Sequence, residues 1–212
     1  MNKIITPLKL EGVEESIYAG FWIRLVSLIL EVVILIPYIL LKLYVDGLGY
    51  SITYYTVLPE LLFYFWFRIY LVKKYGGSPG KLIVGIKIIK LDGSDVTWRE
   101  AILRELFSFL DAVFVSCIMV VALSYANKEI YMSLDWFKKQ DYLLGLFPSL
   151  SRIHNVFNNF WFWSELVVLL FNKRKRAIHD YVAGTVIIKK TYLKKMRDLM
   201  QKEQVDLKTT AL

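Results

Sequence analysis

The chain has 212 residues, of which 56% are hydrophobic and 16% aromatic, and its mean hydropathy is +0.44. Soluble domains carry about 45–50% apolar residues, so this composition argues against a soluble globular domain and favours an integral membrane protein. The formal net charge of +8 does not require a nucleic-acid partner, because basic residues that border membrane segments attract anionic lipid headgroups.

Four segments are apolar enough, or nearly so, to cross a lipid bilayer: about 18–44, 52–72, 106–126 and 153–171. A spanning helix needs about 20 mostly apolar residues, and the segments contain Trp and Tyr, whose rings prefer the membrane interface. The fourth segment is the weakest, because its opening IHNVFNNFW contains several polar residues. These features predict an all-α membrane fold, a four-transmembrane-helix bundle formed by one domain over residues 1–212.

Basic residues are distributed unevenly between the connections of these segments. They crowd the N-terminus, the stretch 73–99 and the region after residue 172, whereas the connection 45–51 contains no Lys or Arg. By the positive-inside rule we expect a multi-pass protein of the cell membrane with both termini and the segments 73–105 and 172–212 in the cytoplasm. The expected partners are the lipid bilayer and its anionic headgroups on the cytoplasmic face.

Two β-rich runs lie in the predicted cytoplasmic segments. Residues 82–91 form the first run, which ends at a turn made by Asp92 and Gly93, and residues 185–188 form the second, directly after Gly184. Both runs are too short to span a membrane, and two strands alone make a poor independent unit. We therefore expect them to pair into a small cytoplasmic β element, accompanied by amphipathic surface helices.

A helix start follows the first of these runs. The tetrapeptide TWRE, residues 97–100, fits the Thr-x-x-Glu capping box, in which the side chains of both end residues bond to free backbone N–H groups. We expect it to begin an amphipathic turn at the membrane surface that runs into the third span.

Three stretches resemble the RDD family of multi-pass membrane proteins. AGFWIRLVSLILE resembles the family's opening, with an Arg early in the first span and an acid in its middle. GGSPGKLIVGIKIIKLDG resembles its Gly-x-x-x-Gly-Lys segment, and RAIHDYVAGTVII resembles its closing motif. Carried over to this chain, the motif positions are Arg24, Glu31, Gly80, Lys81, Asp180 and Gly184, with Glu31 standing where the family usually has Asp. The resemblance implies a membrane fold and a transport-related role for most of the chain, except the connection 126–155.

The predicted spans repeat one arrangement of a basic residue and a deeper acid. RLVSLILE, residues 24–31, is echoed by RELFSFLD, residues 104–111, and the other two spans each carry a glutamate with a basic residue nearer the cytoplasm. A charge at the bilayer centre costs about 2.5–3.5 kcal/mol on insertion scales, so we expect these acids to face the protein interior or a water-filled cavity. The candidate ion or proton site, with its paired basic residues, consists of Arg24, Glu31, Glu60, Arg104, Asp111 and Glu165.

Two interpretations of this set stay open. In the first, the carboxylates bind a cation or relay protons, because burial raises a carboxyl pKa while a nearby Arg lowers it. In the second, the arginines reach cytoplasmic phosphates and the acids are structural ion-pair partners. Seven residues separate two side chains by about 10 Å along a helix, so ion pairs are expected between neighbouring helices or through water.

These interpretations predict different functions. The first predicts a membrane transporter or exchanger of a small cation, with coupling to protons. The second predicts a non-transporting membrane scaffold or a regulatory subunit for a partner protein. Because four spans are few for a transporter, either function favours a homo-oligomer or a partner membrane protein.

Signals for enzyme chemistry are weak. The two histidines, His154 and His179, have no metal-ligand spacing, and Cys117, the one cysteine, forms no intrachain disulfide. The dipeptide His179-Asp180 follows a basic stretch, where we expect Asp180 to cap a helix or to bridge to local Arg or Lys side chains. We therefore predict no catalytic residues, no metal and no cofactor.

Overall fold

The structure is a computed structural model of the chain that describes residues 5–210, with side chains described for residues 5–205. The first four and last two residues, which belong to the predicted cytoplasmic termini, lie outside the described residues. In chain order the elements are α1 (Phe21–Gly47), α2 (Ile52–Tyr64), a π-helix (Phe65–Tyr70), α3 (Leu71–Tyr75), α4 (Pro79–Ile83), β1 (Ile86–Lys90), α5 (Trp98–Tyr125), α6 (Lys128–Ser133), α7 (Trp136–Gly145), α8 (Pro148–Phe171), α9 (Ile178–Val182), β2 (Thr185–Lys189) and α10 (Lys190–Thr210).

Two helices in the described part of the chain, α1 and α5, are long and apolar enough to cross a membrane. Few of their residues are buried by the rest of the chain, and large apolar side chains such as Val32, Val33 and Leu110 are exposed. A core helix of a soluble protein would instead bury its apolar face against neighbouring elements. Both helices coincide with predicted spans, so the membrane character of these segments is supported by the fold.

The other two predicted spans are helical, but they do not meet the same criteria, and the four-helix bundle is therefore not confirmed. The second predicted span is divided by a change of helix type: the π-helix separates α2 from α3, so α2 has only 13 residues. The fourth predicted span lies within α8, which opens with polar residues that include His154 and Asn158. The α-helix is too short in the first case, and polar side chains lower the hydropathy in the second.

Helix α5 begins at Trp98, eight positions before the predicted span at 106, because the capping sequence at residues 97–100 starts it. The backbone N–H of Thr97 donates to Oε2 of Glu100 over 3.0 Å, and the Thr97 hydroxyl donates to the same oxygen. The predicted surface turn and the third span thus form one continuous helix. The connection 126–155 is also largely helical, since it contains α6 and α7.

The described residues divide into two compact units. The first comprises residues 5–33, 67–105 and 164–210, and the second comprises residues 34–66 and 106–163. The predicted single domain stays a prediction. Each unit has its own packing, and each is described separately below.

A two-stranded antiparallel sheet is the centre of the first unit. Strands β1 and β2 pair with Ile88 opposite Ile187, which confirms the predicted pairing of the two β-rich runs. The segment before α1 extends the sheet: the Ala19 N–H donates to the Ile187 carbonyl over 2.9 Å, and the Lys189 N–H donates to the Ile17 carbonyl over 3.0 Å. Strand β2 is therefore bonded along both edges.

Both faces of this sheet are buried. One face carries Ile89, Val186 and Ile188, which pack with the N-terminal segment and with Met196 and Met200 of α10. The opposite face packs with apolar residues of the π-helix, α3 and α5; its members are Ile86, Ile88 and Ile187. Burial on both faces explains why the strands are continuous apolar runs and do not alternate between apolar and polar residues.

The two strands enter the sheet through the same local structure. Helices α4 and α9 each have five residues, and each is followed by one residue, a glycine and a five-residue strand. Gly85 and Gly184 have φ angles of +74° and +65°, a backbone conformation that glycine adopts without steric cost. The third residue of α4 is Lys81 and the third residue of α9 is Asp180. Equivalent positions therefore carry opposite charges.

The second unit is held together by aromatic contacts. Tyr38 stacks on Phe63 with ring centroids 4.0 Å apart, which joins α1 to α2. Phe107 stacks on Trp161 at 3.9 Å, which joins α5 to α8. A small core centred on Tyr131 packs α6 and α7 against the end of α5.

Candidate functional site

Asp180 is fully buried in the first unit and is bonded on both carboxylate oxygens. Its Oδ2 lies 3.0 Å from Nη1 of Arg24 and accepts the Ala177 N–H over 3.1 Å. Its Oδ1 accepts from Arg104 and, over 3.2 Å, from the Thr185 hydroxyl. Asp180 thus caps α9 as the sequence predicted, but its ionic partners come from α1 and α5 and not from the neighbouring basic stretch.

The ionisation of Asp180 is determined by these arginines. Burial by itself raises the pKa of a carboxyl group, but the guanidinium groups of Arg104 and Arg24 outweigh it and hold the pKa of Asp180 well below its ordinary value. Because arginine stays charged at every pH a protein meets, Asp180 is ionised throughout the physiological range.

His179 extends this arrangement to α8. Its Nε2 lies 2.8 Å from Nη2 of Arg104, and a guanidinium group can only donate, so Nε2 accepts and the ring proton belongs on Nδ1. Nδ1 in turn lies 2.8 Å from Oε2 of Glu165, and the His179 backbone N–H donates to Oε1 of Glu165 over 3.0 Å. His179 therefore lies between Arg104 and Glu165 and is bonded to Glu165 through its backbone N–H.

Glu31 is the second buried acid of the first unit, with 3% of its surface exposed. Its Oε1 lies 2.9 Å from Nζ of Lys81 and accepts from the Ser78 hydroxyl, while its Oε2 lies 3.3 Å from Nη1 of Arg68. Arg68 also lies 3.1 Å from Oε2 of Glu105 through its Nε. Glu31 therefore connects α1 to the π-helix and to α4.

Gly80 allows α4 to contact α1 this closely. A Cβ atom at position 80 would meet the Ser27 carbonyl oxygen and would lie 2.6 Å from Cγ of Glu31, closer than any ordinary contact. The missing side chain brings Lys81 within reach of Glu31. Burial and the charge of Arg68 lower the pKa of Lys81, and the Glu31 carboxylate opposes this only in part.

The two groups of charges are each balanced. The Asp180 cluster contains Arg24, Arg104, Glu165 and Asp180, and the Glu31 cluster contains Glu31, Arg68, Lys81 and Glu105. Each has two acids and two bases, so the formal charges cancel when His179 is neutral. Removal of one member of such a buried set leaves an uncompensated charge, which is costly. Both clusters therefore bind the short helices α4 and α9 to the long helices.

The remaining two candidate acids lie in the second unit. Glu60 pairs with Lys42. Asp111 Oδ1 lies 3.0 Å from Nε2 of His154, and the Asn158 amide donates to the same oxygen over 3.0 Å. The six candidate residues therefore have their ionic contacts in separate groups of side chains. Arg24, Arg104 and Glu165 share a cluster, whereas Glu31, Glu60 and Asp111 each have different partners.

In the described residues, neither Arg24 with Glu31 nor Arg104 with Asp111 forms an ion pair, although each two lie seven residues apart. Arg24 binds Asp180, and Glu31 binds Arg68 and Lys81, so each partner comes from another element, as the helix geometry predicted. Within the described residues, no group of three or more His, Cys, Asp or Glu side chains is placed to hold a metal ion.

Sequence reasoning missed several residues of these groups. Glu105 was overlooked beside Arg104, and Ser78 beside the glycines of its loop. His154 and Asn158 lower the hydropathy of the predicted span, but their four-residue spacing places them on one face of α8. That spacing is the signal that would have indicated a shared role.

Comparisons with known proteins agree with the motifs. The model of the RDD family matches residues 18–184, which include all the motif positions from Arg24 to Gly184. A protein of Bacillus subtilis (strain 168), named uncharacterized protein YckC, is 28% identical over 175 residues, which make up 80% of this chain and 83% of that protein. No solved structure matches the chain. With its two apolar helices and the family's motif residues gathered around Glu31 and Asp180, the chain belongs to the RDD family of membrane proteins.

Proposed function

We propose that the protein exchanges a small cation for protons across the cell membrane. In this proposal the negative charge of Asp111 is neutralised in turn by a proton and by the cation. The observation that carries this proposal is one contact: Oδ1 of Asp111, on α5, lies 3.0 Å from Nε2 of His154, on α8. Arginines accompany Glu31 and Asp180 permanently. The basic neighbour of Asp111 is an imidazole, which loses its charge when it releases a proton.

The chemistry of exchange follows from this difference. A carboxylate at membrane depth needs a counter-charge, and at Asp111, whose side chain is 26% exposed in the protein by itself, a protonated His154, a bound proton or an alkali cation can each supply it. The Asn158 amide lies 3.0 Å from Asp111 Oδ1 and 2.6 Å from His154 Nε2. The amide nitrogen Nδ2, which can only donate, makes both contacts, so Asn158 bonds to the Asp111 carboxylate and to His154 Nε2 when that atom carries no proton.

The proposal includes four membrane spans. The helical stretch 52–75 and helix α8 are each longer than the roughly 20 residues that a span requires, and both contain exposed apolar side chains such as Leu62 and Phe160. The uneven placement of basic residues supports cytoplasmic termini. The partners are then the bilayer, anionic headgroups on the cytoplasmic face and a second membrane subunit, either another copy or a different protein. No enzymatic or nucleic-acid role is proposed.

Impermeant thiol reagents test this orientation. Ser51, Ser94 and Ser133 are exposed in the structure, so cysteines there are accessible in the folded protein. In intact cells, a cysteine at Ser51 or Ser133 is expected to react, and one at Ser94 is expected to react only after the membrane is opened. Labelling at Ser94 from outside would reverse the orientation.

Ion flux in liposomes tests the exchange itself. Purified protein is reconstituted with a trapped pH dye, a pH gradient is imposed, and NaCl or KCl is added outside. The wild type is expected to dissipate the gradient in response to one or both salts. Asp111→Asn and His154→Gln should abolish the response at unchanged protein yield.

A matched substitution on the same helix controls for nonspecific damage. Asn159→Ala removes an exposed carboxamide whose bond goes to its own helix, at the Asn155 carbonyl, and should leave flux unchanged. Wild-type protein without cation-dependent flux, or Asp111→Asn protein with full flux, would refute the proposed exchange.

The two balanced clusters favour a second candidate, a non-transporting scaffold. In the Asp180 and Glu31 clusters the formal charges cancel, which suits a rigid cytoplasmic surface for a partner protein more than an ion site. This candidate predicts no flux from the wild type under any gradient. The same liposome measurement therefore separates the two functions.

A further inference from the structure

A third charged group lies in the second unit, at the end of α1, and it is not balanced. Lys42 Nζ pairs with Glu60 and lies 3.3 Å from Oδ2 of Asp46, and the Trp136 indole N–H donates to that same oxygen over 3.0 Å. One ammonium group thus serves two carboxylates. Unlike the Asp180 and Glu31 clusters, this group carries one negative charge in excess.

The excess charge has a definite position within this group. The Asp46 side chain is 4% exposed, and its Oδ1 has no hydrogen-bond partner among the described residues. Buried carboxylate oxygens are almost always bonded, and an unsatisfied one costs about 1–3 kcal/mol or more when charged. The unbonded Oδ1 therefore belongs to the same carboxylate whose Oδ2 contacts Lys42 and Trp136.

The groups around Asp46 provide oxygen atoms and one further cation. The Tyr131 hydroxyl lies 3.2 Å from Oγ1 of Thr53, and burial and the Asp46 carboxylate both raise the pKa of Tyr131. Lys139 lies over the Tyr131 ring, 5.0 Å from its centroid, and among the described side chains no carboxylate lies within ion-pair distance of it. The Lys139 ammonium group therefore contacts the Tyr131 ring and is not an ion-pair partner of Asp46.

We propose that Asp46 binds a monovalent alkali cation through Oδ1, with Glu60 supplying the second negative charge. Carboxylate oxygens are ligands that hard cations prefer, and one excess charge suits a monovalent ion. A divalent cation would leave the group with one uncompensated positive charge. The inference rests on the proposed exchange and adds the class of ion and its binding residue, separate from the proton-linked pair at Asp111.

Trp136 allows binding to be measured without flux. Because its indole N–H bonds to Asp46, a cation on that carboxylate is expected to change the Trp136 fluorescence. Detergent-purified protein is titrated with NaCl or KCl at constant ionic strength, with N-methylglucamine chloride as the replacement salt. The Trp136→Phe protein, titrated in parallel, identifies the contribution of Trp136 to the signal.

The wild type is expected to show a saturable response that Asp46→Asn removes. Glu60→Gln leaves Lys42 to compensate Asp46 fully and should weaken binding by at least about tenfold, which corresponds to 1.4 kcal/mol. Asp141→Asn, an exposed acid on α7 of the same unit, should leave the response unchanged.

The outcomes distinguish this site from the proposed exchange. A saturable response without flux would support the site and refute the exchange, whereas flux without any Trp136 response would refute the site alone. If Asp46→Asn does not fold, Glu60→Gln decides, and unchanged affinity in that variant overturns the inference. Unchanged Trp136 fluorescence when NaCl or KCl replaces N-methylglucamine chloride would also overturn it, because N-methylglucamine is too large for a buried carboxylate.

Discussion

Replacement of Asp180 by asparagine tests whether the Asp180 cluster holds the first unit together. The substitution keeps the size of the side chain but removes the negative charge that Arg24 and Arg104 share. Breaking a buried ion pair by removal of one partner costs about 3–5 kcal/mol. Because two arginines lose their counter-charge here, we expect a loss in the upper part of that range, together with a lower yield of folded protein.

The free energy of unfolding in detergent, measured by titration with a denaturing detergent, is the direct assay. Asp198→Asn is the matched control, since Asp198 lies exposed on α10 and surface substitutions usually change stability by less than about 0.5 kcal/mol. An Asp180→Asn protein as stable as the wild type at pH 7 would refute the structural role of the cluster. Normal stability combined with lost function would instead place Asp180 in the functional mechanism.

The pH dependence of stability adds a sign to this test. The pKa of Asp180 is lowered in the folded protein by Arg104 and Arg24, so its contribution to stability is present above its unfolded pKa of about 3.9 and is lost as the pH falls further. The difference between wild type and Asp180→Asn should therefore be constant from pH 8 to about 5 and should shrink below about pH 4. A difference that grows with acidification would contradict the assigned charge state.

Two further predictions concern the Glu31 cluster. Glu31→Gln should destabilise the protein, and adding Arg68→Gln should recover part of the loss while adding Arg24→Gln should not. Of these two arginines, only Arg68 contacts Glu31. A double-mutant cycle of unfolding free energies that shows rescue by Arg24→Gln would contradict the structure. Gly80→Ala places a methyl group against the Ser27 carbonyl, so we expect the free energy of unfolding to fall by about 1–3 kcal/mol. The same detergent titration measures it. Unchanged stability would mean that α4 does not contact α1 there.

Local sequence determined the class of protein and much of its secondary structure. Membrane-length apolar runs located α1 and α5, the capping sequence at 97–100 located the start of α5, and the β-rich runs located both strands. These features depend on residues close together in the chain, and pattern alone is sufficient for them. The fourth predicted span had the weakest signal, because the polar residues of α8 lower its hydropathy.

Tertiary structure alone decided which charges meet. Arg24 and Glu31 lie seven residues apart on one helix, yet their partners Asp180 and Lys81 come from two short helices of equivalent design, one of them 156 residues away. Spacing along a helix specifies a face, but the partner on that face depends on how closely another backbone approaches. That approach is set by the absent side chain of Gly80 and by the sheet that orients α4 and α9, and neither constraint can be read from the spacing of charges along the chain.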